Sequence, residues 1–149
     1  IYFMNLPLSI LWFVIGFIAV NGLKLFQIQR KVQKLRLKPE NPQKSESELI
    51  KAAYQKSQPY VPGYYLLVWI VCSSFYFLLH NSPGIYKDAL MTGALWWLLT
   101  LLLEMAVWVK SSHKYQLTWK EMYMNSQPWL SLNYYAVLIS PLILSMILK

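Results

Sequence analysis

The sequence predicts an all-α integral membrane protein, a bundle of four transmembrane helices with a long basic first loop. Of the 149 residues, 56% are hydrophobic and only 13% are charged, whereas an average soluble domain is about 45–50% apolar and about 25% charged. The apolar residues form four blocks, each close to the roughly 20 residues that a helix needs to cross a bilayer. Little sequence is left over, so residues 1–149 are expected to form a single membrane domain.

The first apolar block covers residues 6–23, and its helix is expected to continue beyond the membrane. Pro7 fits the first helical turn, where its missing N–H does no harm. Basic residues then accumulate up to Pro39, which disfavours helix in the residue before it. The helix is therefore predicted to extend to about residue 37 as a basic amphipathic segment. Its apolar positions recur at helical spacing: Leu25, Ile28, Val32 and Leu35.

A short second helix is expected in the polar segment that follows. Ser45 and Glu48 have the spacing of a capping box, in which the first side chain caps the helix and the second bonds back to it. Leu49, Ala52 and Ala53 would give this helix a narrow apolar face. It is predicted to lie in the first loop, outside the membrane.

Three more apolar blocks complete the predicted membrane helices, at residues 62–79, 89–109 and 129–148. Asp88 precedes the second of these blocks and is expected to be its N-cap. Thr118 and Glu121 have the spacing of another capping box, in the loop before the last block. Pro141 lies inside the last block and is expected to interrupt its hydrogen-bond ladder.

The distribution of basic residues predicts the orientation. The loop at residues 24–60 carries nine Lys and Arg residues and the loop at 110–127 carries three, whereas the loop between them carries only Lys87. Cytoplasmic loops are enriched in Lys and Arg. Both basic loops are therefore predicted to be cytoplasmic and both termini external, in a plasma or inner membrane.

The formal net charge of +8 has its main source in the same first loop. Such a charge in a soluble protein would indicate nucleic acid, but basic residues beside an apolar block favour anionic lipid headgroups. Membrane lipid is therefore the expected partner, and no nucleic-acid partner is expected. The residues assigned to headgroup binding follow the first apolar block: Lys24, Arg30, Lys31, Lys34 and Arg36.

Glu104 is an acid inside a predicted membrane helix, where a charged residue costs about 2.5–3.5 kcal/mol on insertion scales. It shares a helical face with Gly93, Trp97, Thr100 and Trp108. Small and polar residues are typical of interfaces between membrane helices. Glu104 is therefore predicted to face the interior of the bundle.

Other polar residues are expected at a similar depth, namely Asn21, Tyr65 and Asn133. With Thr100 and Glu104 they could form a polar layer near the cytoplasmic side. Such a layer would bind an ion, a proton or a headgroup. Alternatively, it would be a structural hydrogen-bond network, or Glu104 would reach lysines of the loops.

His80 directly follows the second apolar block, and Asp88 lies across a short turn from it. An interfacial histidine can act as a general base, with Asp88 as the acid that orients it. His80 and His113 lie on opposite predicted sides, too few ligands for a metal or haem site, and no cofactor is expected. Cys72 is the only cysteine and lies inside an apolar block. It has no partner for a disulfide within the sequence and is predicted to be a packing residue.

Three functions remain open from the sequence. The first is a non-enzymatic accessory, regulatory or immunity-type subunit that acts on a membrane-protein partner, a second copy of the chain, or lipid. The second is a protomer of an ion- or proton-coupled transporter or channel that uses Glu104. The third is a membrane enzyme that acts on lipid at the outer face through His80.

Overall fold

The chain is helical throughout the part described by the computed structural model, residues 4–37, 45–80, 85–113 and 115–148, apart from short turns and loop segments. These residues contain no β-strand. Four helical stretches are long and apolar enough to cross a membrane: Leu6–Arg36, Ser47–Leu79, Ile85–Lys110 and Trp129–Ile147. The predicted all-α class and the predicted count of four long apolar helices are confirmed.

The outer surface of these helices is apolar. Ile18 and Leu67 are each 65% exposed, and Leu98 is 49% exposed. Serine and threonine side chains such as Ser9 and Thr92 are instead fully buried. A soluble protein rarely exposes large apolar patches, so this arrangement fits an integral membrane protein.

Helix α1 (Leu6–Arg36) is continuous over 31 residues. The side chain of Asn5 caps it by accepting a hydrogen bond from the Leu8 N–H at 3.2 Å. The segment predicted to extend beyond the first apolar block is therefore helical as far as Arg36. Pro39, the predicted terminator, lies outside the described residues.

Helix α2 (Glu46–Ser57) begins after Ser45, whose hydroxyl accepts a hydrogen bond from the Glu48 N–H at 3.3 Å, as the capping-box spacing predicts. A short 3₁₀ turn, Gln58–Tyr60, joins it to α3 (Val61–Leu79). Helix α2 folds back along α1, where the two form one apolar cluster. Its members from these helices are Ile28, Val32, Leu35, Leu49, Ile50, Ala53 and Tyr54.

Helix α4 (Ile85–Glu104) begins before the predicted start at residue 89. Asp88 is therefore not the N-cap: it lies in the first turn and is buried. The sequence signal is shared by the two positions, because an acidic residue is favourable throughout the first turn of a helix as well as at its cap. A π-helical turn, Met105–Lys110, continues α4.

Helix α5 (Trp129–Ile147) contains Pro141 in its interior. The preceding loop has a π-helical turn, Lys120–Met124, and the Thr118 hydroxyl accepts from the Glu121 N–H at 3.2 Å, as the second capping-box spacing predicts. Helix α5 packs against both α3 and α4, and α1 packs against α2 and α3.

Two glycines mark close approaches between helices. A Cβ atom on Gly93 of α4 would lie 2.5 Å from the backbone oxygen of Leu138 on α5, so only glycine fits without a shift. A Cβ atom on Gly16 would lie 2.7 Å from the Trp69 ring and 3.0 Å from the Cys72 sulfur. Cys72 is buried and unpaired, and it packs against α1, as expected of a packing residue.

Candidate functional site

Glu104, the last residue of α4, is fully buried between three helices. Its partners are Lys24 of α1 and Tyr65 of α3, which are 3% and 0% exposed. Lys24 Nζ lies 3.5 Å from Glu104 Oε1 and donates to the Tyr65 hydroxyl at 3.0 Å. The Tyr65 hydroxyl in turn donates to the same Glu104 oxygen. These three residues are here called the buried ion-pair centre. The Lys24–Glu104 pair joins α1 to α4, and the Tyr65 hydroxyl links both of them to α3.

Lys24, which is predicted from the sequence to bind headgroups, is instead buried and paired with Glu104. The physical reason is that an unpaired carboxylate inside the bundle would be costly, whereas a lysine at hydrogen-bond distance offsets its charge. The sequence does contain a signal for this, because Lys24 lies on the buried stripe of α1. The other members of that stripe are Val20, Ile28, Val32 and Leu35.

Trp108 encloses the centre on one side. Lys24 Nζ lies 5.0 Å from the Trp108 ring centroid and 5.2 Å from that of Tyr65, within range of cation–π attraction. The indole N–H of Trp108 donates to Asn21 Oδ1 at 2.8 Å. Asn21, a member of the predicted polar layer, therefore fixes the ring beside Lys24 rather than contacting Glu104.

The predicted polar layer is assembled only in part. Thr100 and Asn133 are fully buried, yet neither the Thr100 hydroxyl nor the Asn133 amide has a hydrogen-bond partner among the described residues. The second carboxylate oxygen of Glu104 has no hydrogen bond of ordinary geometry there, although the Tyr134 hydroxyl of α5 is close enough to interact with the carboxylate. Trp97, which is predicted to share the Glu104 face, is 38% exposed, and its neighbour Trp96 is buried instead.

A second cluster joins the opposite ends of the helices. The Asp88 carboxylate is buried and accepts from the Tyr76 hydroxyl at 2.8 Å and from the Thr92 hydroxyl at 3.1 Å. Its other oxygen lies 3.1 Å from His80 Nε2. The Tyr76 hydroxyl also accepts from the Asn5 N–H at 3.1 Å. These five residues, the helix-junction cluster, hold together the start of α1, the end of α3 and the start of α4.

The structure thus brings His80 within 3.1 Å of Asp88, although neither His80 Nε2 nor this Asp88 oxygen makes a hydrogen bond of ordinary geometry among the described residues. Both hydroxyl groups in the cluster are committed to Asp88, so neither Tyr76 nor Thr92 is presented to a substrate. The His80 side chain remains 21% exposed. The contacts favour a structural tie between helix ends over nucleophilic catalysis.

The basic residues beyond Lys24 form a third site. Gln27, Arg30, Lys31 and Lys34 of α1 and Tyr60 before α3 line a cavity of about 130 Å³, here called the basic pocket. Lys31 Nζ lies 5.4 Å from the Tyr60 ring centroid. Three of the five residues assigned to headgroup binding therefore share one pocket. Arg36 does not line it and lies in the last turn of α1.

Charge does not balance within the basic pocket. Among the described residues, no carboxylate lies within ion-pair distance of Arg30, Lys31 or Lys34. Like charges held together in this way repel one another unless an anion is bound between them. The pocket therefore has the electrostatics of an anion site.

Two larger cavities have other linings. One of about 400 Å³ has apolar and aromatic walls, and its residues are Asn21, Leu25, Val107, Trp108, His113 and Tyr115. The other, of about 480 Å³, lies in the loop region and is lined by Lys51, Val109, Lys110, Gln116, Leu117, Thr118 and Trp119. Neither cavity is lined by Glu104.

Ligand sets for a metal do not form within the described ranges, where no three His, Cys, Asp or Glu side chains come together. His113 is turned to the backbone, with Nε2 at 2.6 Å from the Val107 oxygen. Comparison with known proteins found no family model, no curated protein and no solved structure that matches the chain.

Proposed function

We propose that the chain is a non-enzymatic integral membrane subunit that binds anionic lipid headgroups in its basic pocket. It would act as an accessory, regulatory or immunity-type protein on a membrane-protein partner or as an oligomer of itself. The observation that carries this proposal is the convergence of Arg30, Lys31 and Lys34 on one cavity without an acidic partner in the described part of the chain. Each basic residue near an anionic surface contributes about 1 kcal/mol to binding.

The position of the pocket supports a lipid ligand. It lies one to three turns beyond Lys24 on α1 and directly before α3 at Tyr60, and the exposed apolar side chain of Leu23 precedes it on α1. Phe26 is 57% exposed next to the pocket, and the Arg30 guanidinium lies 5.7 Å from its ring centroid. Aromatic and basic side chains of this kind occupy the headgroup level of membrane proteins.

The proposed orientation places the basic pocket in the cytoplasm and both termini outside, in a plasma or inner membrane. Because Lys24 is buried, it no longer counts as a loop charge. The first loop still carries eight basic residues and the third carries three, against Lys87 alone in the second. This difference supports the proposed orientation by the positive-inside rule.

A binding experiment with two matched triple variants tests the lipid proposal. The pocket variant is Arg30→Gln, Lys31→Gln, Lys34→Gln. The control is Lys56→Gln, Lys110→Gln, Lys120→Gln, which removes the same charge from exposed positions outside the pocket. Retention of anionic lipid by the purified protein is measured by native mass spectrometry.

The pocket variant is expected to retain about a hundredfold less anionic lipid, because three contacts of about 1 kcal/mol each are lost. The control is expected to stay close to the unsubstituted protein. Equal loss in both variants would mean that net charge, not the pocket, attracts the lipid. No loss in either variant would refute the proposal.

Ion or proton coupling at Glu104 is the second candidate function. One observation favours it: Glu104 Oε2, the Thr100 hydroxyl and the Asn133 amide are buried, and none of them makes a hydrogen bond of ordinary geometry among the described residues. In addition, the π-helical turn Met105–Lys110 begins directly after Glu104, and such turns are frequent at functional sites. Against it, Lys24 already neutralises the carboxylate at 3.5 Å.

A further inference from the structure

We infer that the basic pocket is specific for a terminal phosphate, so that its ligand is a phosphomonoester lipid such as phosphatidic acid rather than a phosphodiester lipid. The inference rests on the proposed function and names the class of lipid. Three features of the pocket lead to it: its donors, its charge and its size.

The pocket is lined with hydrogen-bond donors. Arg30, Lys31 and Lys34 can only donate, because their charged groups have no acceptor. Gln27 could present either its oxygen or its amide nitrogen, but the Tyr64 hydroxyl donates to its Oε1 at 2.7 Å. The oxygen is thereby occupied, and the NH₂ group remains as a donor. Tyr64 is thus a positioning residue for the pocket.

The charge of the pocket matches a phosphomonoester better than a phosphodiester. A terminal phosphate carries about −1.5 to −2 charges at neutral pH and presents three strong acceptor oxygens. A phosphodiester headgroup carries a single negative charge and has two free oxygens. Three cations and the Gln27 amide can therefore be matched more fully by the terminal phosphate.

The size of the pocket limits what can enter it. Its volume of about 130 Å³ is well below the roughly 300–1,000 Å³ of sites that enclose a drug-sized ligand. A phosphate group fits, whereas the acyl chains of the same lipid must lie outside. Leu23, one turn before Gln27 on the same face of α1, is 38% exposed and offers an apolar surface for them.

A competition between two anionic lipids in the same vesicles tests the inference. The full-length protein is reconstituted in phosphatidylcholine with equal molar fractions of phosphatidic acid and phosphatidylglycerol, and the lipids retained on extraction are quantified by mass spectrometry. We expect the protein to retain phosphatidic acid about fivefold or more over phosphatidylglycerol, as one further ionic contact would give. The pocket variant should lose this preference, and the control variant should keep it.

Tyr64→Phe provides a narrower test, because it leaves every charge in place. It should lower the preference for phosphatidic acid about two- to threefold, the effect of a modest hydrogen bond, with total anionic lipid nearly unchanged. If the pocket variant melts far below the unsubstituted protein, the single change Lys34→Gln, at an exposed position, replaces it.

The possible outcomes separate the two proposals. Equal retention of the two lipids would refute the terminal-phosphate inference and leave the proposed lipid function standing. Loss of neither lipid in the pocket variant would refute both. Displacement of phosphatidic acid by inorganic phosphate or glycerol 3-phosphate at equal concentration would show that the ligand is a soluble phosphate compound, which would overturn the lipid assignment.

Discussion

Lys24 and Glu104 are tolerated inside the bundle because each neutralises the other. A buried pair contributes little net stability compared with apolar side chains of similar size, but removal of one partner leaves an uncompensated charge. The Tyr65 hydroxyl satisfies part of the remaining hydrogen-bonding capacity, since it accepts from Lys24 and donates to Glu104. The structural role of this centre can therefore be tested by removing its members singly and together.

Glu104→Leu and Lys24→Met are each expected to lower the stability of the folded protein by about 3–5 kcal/mol. The double variant should recover most of this loss, because neither charge is then left unpaired. Glu104→Gln should unfold at an intermediate temperature, since its amide keeps a bond to Tyr65. Thermal unfolding in mild detergent measures all four, and additive losses in the double variant would contradict a structural pair. An ion flux in liposomes that Glu104→Gln abolishes without unfolding would instead support the transport function.

The sequence predicts the burial of some of these residues and misses that of others, for identifiable reasons. The burial of Glu104 is predictable, because an acid inside an apolar block has to face the interior. Lys24 is misassigned because a lysine at the end of such a block is usually at the interface, although its spacing of four residues from both Val20 and Ile28 places it on the buried stripe of α1. Trp96 and Trp97 are adjacent on one helix, and only packing against neighbouring helices decides which of the two is buried.

Local sequence signals predict the boundaries of some helices better than those of others. The boundaries of α1 and α2 agree with caps and periodicity that a few neighbouring residues specify. The start of α4 is less predictable, since an acidic residue is favourable at the cap and throughout the first turn. Close approaches such as that of Gly93 to Leu138 depend on two distant segments, so no local pattern reveals them.

Gly93→Ala is expected to destabilise the protein by about 1–3 kcal/mol, the usual penalty for overpacking. The added methyl group would lie 2.5 Å from a backbone oxygen of α5, which cannot rotate away as a side chain could. Gly22→Ala is the matched control, because nothing lies within 4 Å of a Cβ atom there. The control should be neutral or stabilising by up to about 1 kcal/mol, as alanine favours helix. Thermal unfolding of both variants distinguishes them, and equal effects would contradict close packing at Gly93.

Over the whole molecule, polar contacts are concentrated at three levels along the helices. The helix-junction cluster lies at one end, the buried ion-pair centre lies further along α1, and the basic pocket lies beyond the centre toward the other end. The two ends differ in charge, since the basic pocket has no acidic partner in the described ranges while Asp88 is paired with His80. A membrane with one anionic surface would favour a single orientation of such a molecule.

Accessibility to a membrane-impermeant thiol reagent tests that orientation directly. Single cysteines are placed at Ser47, Tyr86 and Ser112 on a Cys72→Ala background, so that none of the changes alters the charge count. All three positions are exposed on the protein.

Because the loops containing Ser47 and Ser112 carry almost all of the basic residues, we expect labelling in intact cells at Tyr86→Cys alone. Ser47→Cys and Ser112→Cys should react only after the membrane is permeabilised. The reverse pattern would invert the proposed topology, and labelling of Ser47→Cys and Ser112→Cys from opposite sides would contradict two membrane crossings between them.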